Sequence, residues 1–412
     1  VARTLYLVAK VARTLYLVNF RPKNPLPGEN PSWTHLGQVC TRGFLKLIEC
    51  GFCQPPLTGA AMRLGLPPSV RPRATAAAFC SMATGMAGSF ASAIVSVAKP
   101  VSFGYALTCA IAFVAQRKLQ YFPGLPAPEH PAVVSSLFEG VEEFSVTAAD
   151  GTQCVGWHWP APPSGSQPAA PWWLGPQASA VGAKMGAIRA AHPELSAVDV
   201  LLFHGNAGHR GDRLGWAHIL REGLGVSVTI IDYRGYGGSD GAPTEAGLIQ
   251  DAQAAAKWLK QRQKHEPCAS GRRGTVYWGE SIGSGVAVAC SVSDPPDAIV
   301  IEAGFTSCAD IGAAAYPWLP VKLLMFDQFD SATRSKSLQA LPCLSLHGTD
   351  DDIAPIQLGR KLFDELPSPK RFVELPCGHN DVMYSDPARY LAEVSTFLVE
   401  QVVARRSERS SL

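Results

Sequence analysis

Charge is what this sequence has least of. Asp, Glu, Lys and Arg make up only 17% of its 412 residues, while 47% are hydrophobic. That is enough apolar material for a sizeable core, and it points to a membrane-facing part. The formal net charge of +2 gives no overall field to attract nucleic acid. Cysteine has no pattern: eleven residues, an odd number without regular spacing, exclude a disulfide framework. Cys290, Cys308 and Cys343 lie in apolar runs and read as small buried hydrophobes. Cys50-Gly51-Phe52-Cys53 has redox-motif spacing, but no βαβ pattern surrounds it. No other His/Cys/Asp group has ligand spacing, so no metal site is expected. The glycine-rich stretch Asp232–Ser239 fits neither a P-loop nor a dinucleotide fingerprint, so no cofactor is assigned. It reads as a turn-shaping segment.

The charge that is present is unevenly spread. Up to Arg73 there are ten Lys/Arg against only Glu29 and Glu49, and the remainder is net acidic. The octapeptide VARTLYLV occurs at Val1 and again at Val11. Two copies cannot build a solenoid. Residues 19–73 are rich in Pro and Gly without a sustained period, as disordered chain is. Residues 1–91 are therefore expected to be disordered or a targeting region. From Ala74 to Gln116 the single charge is Lys99. Val101–Gln116 carries Phe103, Tyr105, Leu107, Ile111, Phe113 and Val114. Extended back to Ser92 it reaches the roughly 20 apolar residues a spanning helix needs. Residues 92–116 are thus the candidate transmembrane anchor, with Lys99 and Pro100 inside it. The expected location is a membrane, by a single pass. The alternative is an organelle-targeted soluble protein, since the N-terminus is Arg-bearing, Ala/Ser-rich and acid-poor. The basic tail suggests a cytoplasmic N-terminus and Arg117-Lys118 the reverse, so orientation stays open.

Beyond Tyr121, short β-branched runs alternate with helical stretches. That is the pattern of an α/β domain with a mostly parallel sheet flanked by helices, assigned to 117–405. Glu143–Thr147 and Cys154–Trp159 read as an opening hairpin around Asp150-Gly151. Residues 161–197, rich in Pro, Ala, Gly and Ser, read as an inserted surface excursion. Strands are expected at Val198–Phe203, Val226–Asp232, Thr275–Trp278, Ala298–Glu302, Cys343–His347 and Arg371–Leu375. Helices are expected at Glu245–Lys264 and Pro387–Ala404.

One strand, Thr275–Trp278, runs into Gly279-Glu280-Ser281-Ile282-Gly283 and then into the helix-compatible Ser284–Ser291. A serine on a strand-to-helix turn needs a strained backbone, and close packing of strand on helix leaves room only for very small residues at Gly279 and Gly283. Ser281 is the candidate nucleophile, and it needs a base. Where a serine sits on such a turn, the partners follow in the order acid, then His. Leu344–Leu346 ends in His347-Gly348-Thr349-Asp350-Asp351-Asp352. Asp351 is the chosen acid, with Asp350 and Asp352 as register alternatives. His379, in the loop after the last strand and before the final helix, is the candidate base. The oxyanion donors are expected to be the backbone N–H of Ile282 and that of Asn206 in the loop after Val198–Phe203, with Ala207 the competing neighbour. His204 precedes Ser281 and reads as a loop-shaping residue.

From His204 onward the chain resembles the membrane-anchored bud-emergence-type branch of the α/β-hydrolases, which includes protein-depalmitoylating enzymes. The resemblance rests on FHGNAGHRGDRL, IDYRGYGGSDGAPTEAGL, WGESIGSGVAV, YPWLPVKLLMFDQFDS, LHGTDDDIAP and LPCGHND, and on QRKLQYFPG at Gln116–Gly124. It implies an α/β-hydrolase fold and a Ser281–Asp351–His379 triad. Residues 305–341 occupy the lid position of that fold, too short for a cap domain. They read either as a short apolar flap or as plain helix packing. The expected activity is that of a serine hydrolase on acyl esters or thioesters, carried by lipids or acylated proteins, with no nucleic-acid partner. A peptidase or acyltransferase with the same triad, or a non-catalytic scaffold, are the alternatives.

Overall fold

The computed structural model describes residues 73–123, 126–130, 138, 140–266 and 272–406. The repeat at 1–18 and the Cys50–Cys53 pair lie outside them. The chain divides into two units, Val1–Lys99 and Pro100–Leu412.

The first described element is a 48-residue helix, α1 (Arg73–Gln120), with Pro100 inside it. This corrects two expectations. Residues 73–91 are helical, which removes the disordered alternative for them and leaves the targeting one, and the apolar helix runs past 116 to Gln120. Its stretch Ala98–Gln120 has the length and hydropathy of a membrane-crossing helix, and none of it is buried.

Eight strands form one sheet in the order β1-β2-β4-β3-β5-β6-β7-β8. They are β1 (Glu142–Thr147), β2 (Gln153–Trp159), β3 (Val198–Phe203), β4 (Ser227–Ile231), β5 (Gly274–Glu280), β6 (Ala298–Glu302), β7 (Cys343–Gly348) and β8 (Lys370–Leu375). The β1–β2 and β2–β4 pairs are antiparallel and the rest parallel. The connecting helices are α2 (Ala178–Ala191), α3 (Leu214–Leu224), α4 (Glu245–His265), α5 (Ile282–Ser293), α6 (Cys308–Ala315), α7 (Val321–Leu324), α8 (Ser331–Ser335), α9 (Ile356–Glu365), α10 (Val382–Ser385) and α11 (Pro387–Leu398). The final helix is shorter than expected; a π-helical turn, Val399–Val403, follows it.

Side chains of the central strands alternate between two cores. Val200, Leu202, Val276 and Trp278 pack on one face with α3 and α11. Leu201, Phe203 and Tyr277 pack on the other with α4, α5 and α9. The period of two is what lets a strand buried on both faces feed both layers. Strand order reverses around β3. The helix after β3 therefore lies on one face and the helix after β5 on the other, leaving a crevice at the carboxyl ends of these strands.

The 161–197 stretch is not a surface excursion. Val181, Met185 and Ile188 of α2, and Leu195 after it, are buried in the first core. Its small residues serve packing: a Cβ on Gly182 would lie 3.1 Å from the Cβ of Ala170. Cys290 and Cys343 are fully buried, and burial pushes both thiols up to about 12. Cys308 is only half-buried.

Candidate active site

The site forms where β3, β5, β7 and β8 end on the same side of the sheet. Strand β5 runs two residues further than expected, to Glu280, so the turn begins at once with Ser281. Ser281 has φ 54 and ψ −118, a conformation that costs a side-chain-bearing residue on the order of 1–3 kcal/mol. Its N–H donates to the Glu302 carbonyl at 2.8 Å, which fastens the turn to the neighbouring strand. The two glycines are required by space. A Cβ on Gly279 would lie 2.3 Å from the Gly283 carbonyl oxygen, and one on Gly283 would lie 2.1 Å from that of Phe203.

The loops after β7 and β8 bring the other two side chains. Thr349 N–H donates to Leu375 O at 2.8 Å and Asp350 N–H to Cys377 O at 3.0 Å, so the two loops are stitched together. Gly348 permits this, because a Cβ there would lie 2.4 Å from the Cys377 carbonyl. Of the three consecutive acids, Asp350 and Asp352 are exposed and Asp351 is buried. His379 Nδ1 lies 2.7 Å from Asp351 Oδ2, and its Nε2 lies 2.9 Å from Ser281 Oγ. The structure thus brings Ser281, His379 and Asp351 into one chain of hydrogen bonds.

Asp351 has more partners than the sequence suggested. Its Oδ1 accepts from the N–H groups of Ile353 (3.0 Å) and Ala354 (2.7 Å), and His347 Nε2 stands 3.3 Å from Oδ2. Burial alone would raise its pKa. The hydrogen bonds from His347 and His379 and the His379 charge outweigh that and hold the carboxyl well below the usual range. A carboxylate so held fixes the orientation of the imidazole ring. The signal for His347 was present in the motif, where it directly precedes Gly348.

The loop after β3 is anchored from several sides. Asn206 donates its side-chain amide to the Gln120 carbonyl and accepts from Tyr236 Oη at 3.0 Å. Phe122 bridges Ala207. His204 is buried, with Nδ1 2.7 Å from Gly205 O and its own carbonyl accepting from Tyr233 Oη at 3.1 Å. The Asp232–Ser239 segment shapes this neighbourhood as expected. Ile282 opens α5, so its N–H is one of the four at a helix start without an intrahelical partner.

One device was missed. Glu280, the residue before Ser281, accepts from Gly205 N–H at 3.1 Å and from Arg213 Nε at 2.9 Å. Arg213 also donates to Ala207 O at 2.8 Å. The pair ties the serine turn to the β3 loop. Burial opposes the Glu280 charge, but Arg213 and the Gly205 N–H lower its pKa to about 2. Its neighbour across the strands, Glu302, goes the other way: burial and the Glu280 charge push it up to about 8, against hydrogen bonds from Tyr390 and Trp278.

Comparison with known proteins agrees with this fold. The profile of the α/β hydrolase fold matches residues 200–343. An uncharacterized protein of Mycobacterium tuberculosis (strain H37Rv) is 37% identical over 290 residues, covering 70% of this chain and 89% of that one. Protein bem46 of Schizosaccharomyces pombe is 35% identical over 207 residues, covering 49% of this chain and 67% of that one. The chain belongs to the bud-emergence-type α/β-hydrolase family. Lysophosphatidylserine lipase ABHD12 of Danio rerio is 35% identical over 184 residues, 40% of this chain. The hydrolase spans 46% of that lipase's length.

Proposed function

We propose that this hydrolase cleaves acyl esters or thioesters through an acyl-enzyme formed on Ser281. His379 Nε2 takes the Ser281 proton as Oγ attacks the acyl carbon, then returns it to the leaving group. Asp351 holds the tautomer with the proton on Nδ1 and stabilises the imidazolium. The oxyanion is received by the N–H of Ile282 and, across the crevice, that of Asn206. Water activated by His379 then releases the acid. The observation that carries this reading is the pair of contacts at 2.7 and 2.9 Å, made on a serine whose backbone is strained.

The substrate class follows from two supports. The lid leaves Trp318, Leu323 and Phe326 exposed, an apolar surface of the kind that meets lipid carriers, and similar proteins carry the name of a lipid-ester lipase. A long-chain acyl group on a lipid or an acylated protein fits both. Helix α1 holds the hydrolase on a membrane, where such carriers reside. Fluorophosphonate labelling of wild type and Ser281→Ala tests the nucleophile. Labelling is expected only in wild type, and equal labelling removes Ser281 from the mechanism. A series of esters of rising acyl length then tests the substrate class, with turnover confined to short soluble esters overturning it.

A further inference from the structure

The lid starts at the sheet edge that holds Ser281, three residues after β6. Its side chains divide into two sets. Val321 and Phe329 are buried, whereas Leu323 and Phe326 are 83% and 55% exposed. Flap and helix packing, the two expected alternatives, thus both occur in it.

This segment is clasped along α1. Gln120 Nε2 donates to Asp327 O at 2.7 Å, and Arg117 Nε meets Asp327 Oδ2 at 2.8 Å. Gln116 both accepts from Phe326 N–H at 2.7 Å and donates to Leu324 O at 3.1 Å. The rings of Phe113 and Phe326 meet edge to face with centroids 4.7 Å apart. Tyr105 Oη donates to Trp318 O at 3.0 Å. Burial along α1 matches: Thr108, Ala112 and Ala115 are half-buried at helical spacing, while Phe103, Leu107, Ile111 and Val114 are exposed.

The clasp extends from Gln120 back to Tyr105, fifteen residues, or about 22 Å of helix. A bilayer's hydrocarbon core is only about 30 Å thick, and it does not admit lipid-exposed irregular backbone. If Tyr105–Gln120 ran across the bilayer, the lid with its Tyr316–Pro320 and Met325–Asp327 loops would be carried deep into hydrocarbon. We infer that Tyr105–Gln120 lies in the plane of the membrane, and that its outer face joins Leu323 and Phe326 in one apolar surface seated on a phospholipid leaflet. The occupant is a bilayer because the surface continues α1, itself apolar enough to enter one, and because Arg117, Lys118 and Lys322 border it with the cationic groups found at phosphate level. The lid face would then present the Ser281 crevice to lipid headgroups. The inference rests on the hydrolase reading only for that last step.

Depth measurement tests it. The full chain, reconstituted in phosphatidylcholine/phosphatidylglycerol vesicles, carries a nitroxide on a keto-bearing residue placed singly at 103, 114, 323 or 326. All four labels are expected at similar shallow depth. A spanning helix would separate 103 from 114 by about 16 Å, and that gradient overturns the inference. So do lid labels that remain in water, or spin–spin broadening from a second copy covering the face. A paired test uses Leu323→Ser/Phe326→Ser. Turnover of a long-chain ester in vesicles is expected to fall about tenfold, with fluorophosphonate labelling and short-ester turnover unchanged. Unchanged vesicle turnover overturns the lid's role, and absence of labelling in wild type defeats the hydrolase reading instead.

Discussion

Replacing Glu302 by Gln should make the hydrolase more stable in alkali while leaving it unaltered in mild acid. Glu302 is buried, and its Oε2 accepts from Tyr390 Oη at 2.8 Å and from the indole N–H of Trp278 at 3.4 Å. Its pKa is pushed up from 4.5 to about 8. Between these two values the unfolded chain has released the proton and the native protein keeps it. Stability therefore falls as pH rises through that window and levels off above it. At about 1.4 kcal/mol per pH unit, the whole window is worth on the order of 5 kcal/mol. A glutamine amide has the shape of the protonated acid and can accept the same two hydrogen bonds, but it never ionises. Urea unfolding in a non-ionic detergent is the assay. The two proteins are expected to agree within about 1 kcal/mol near pH 5, and the variant to be more stable by roughly 3–5 kcal/mol near pH 8.5. Glu280 acts in a separate window: its lowered pKa gives stability that is present above 4.5 and lost as pH falls towards 2. Parallel stability curves for wild type and variant between pH 5 and 8.5 would refute the reasoning.

Three further outcomes are expected. Arg213→Met strands the Glu280 carboxylate and should cost about 3 kcal/mol in unfolding, with much of the loss recovered by adding Glu280→Gln; a single variant as stable as wild type contradicts the pairing. Asp351→Asn should lower kcat on the order of 10⁴-fold with KM little changed, read in steady-state ester hydrolysis; a loss below tenfold would mean that the acid is elsewhere. Gly283→Ala sets a methyl group against the Phe203 carbonyl, so a drop in melting temperature and a loss of at least 100-fold in turnover are expected. An unaffected alanine variant would show that the turn has room to spare.

What could be read from the sequence was what chemistry or periodicity constrains tightly. The central strands were legible because a strand buried on both faces leaves a largely apolar run, and the turn at Ser281 because a serine turn of this kind demands glycines at fixed offsets. Asp351 was separable from Asp350 and Asp352 only as one of three, since burial decides among them. Helix α2 was illegible because Ala, Gly and Ser, which let its Gly182 sit close against Ala170, also compose loops. Arg213 and Glu280 lie 67 residues apart, and neither has a neighbour in sequence that reveals the pairing. The in-plane half of α1 was hidden for the opposite reason. Its apolarity is plain, but only the lid, two hundred residues away, shows which face is already taken.

The grip of Gln120 on Asn206, with the bridge from Phe122 to Ala207, bears on how the enzyme could be shortened. Trimming for solubility would naturally begin at the first strand, Glu142, where the regular domain starts. Such a cut removes two of the supports of the loop after β3, which in the proposed mechanism supplies an oxyanion donor. A trimmed enzyme starting there should fold around its sheet yet work slowly. One that keeps the chain from Gln116 onward should retain its speed.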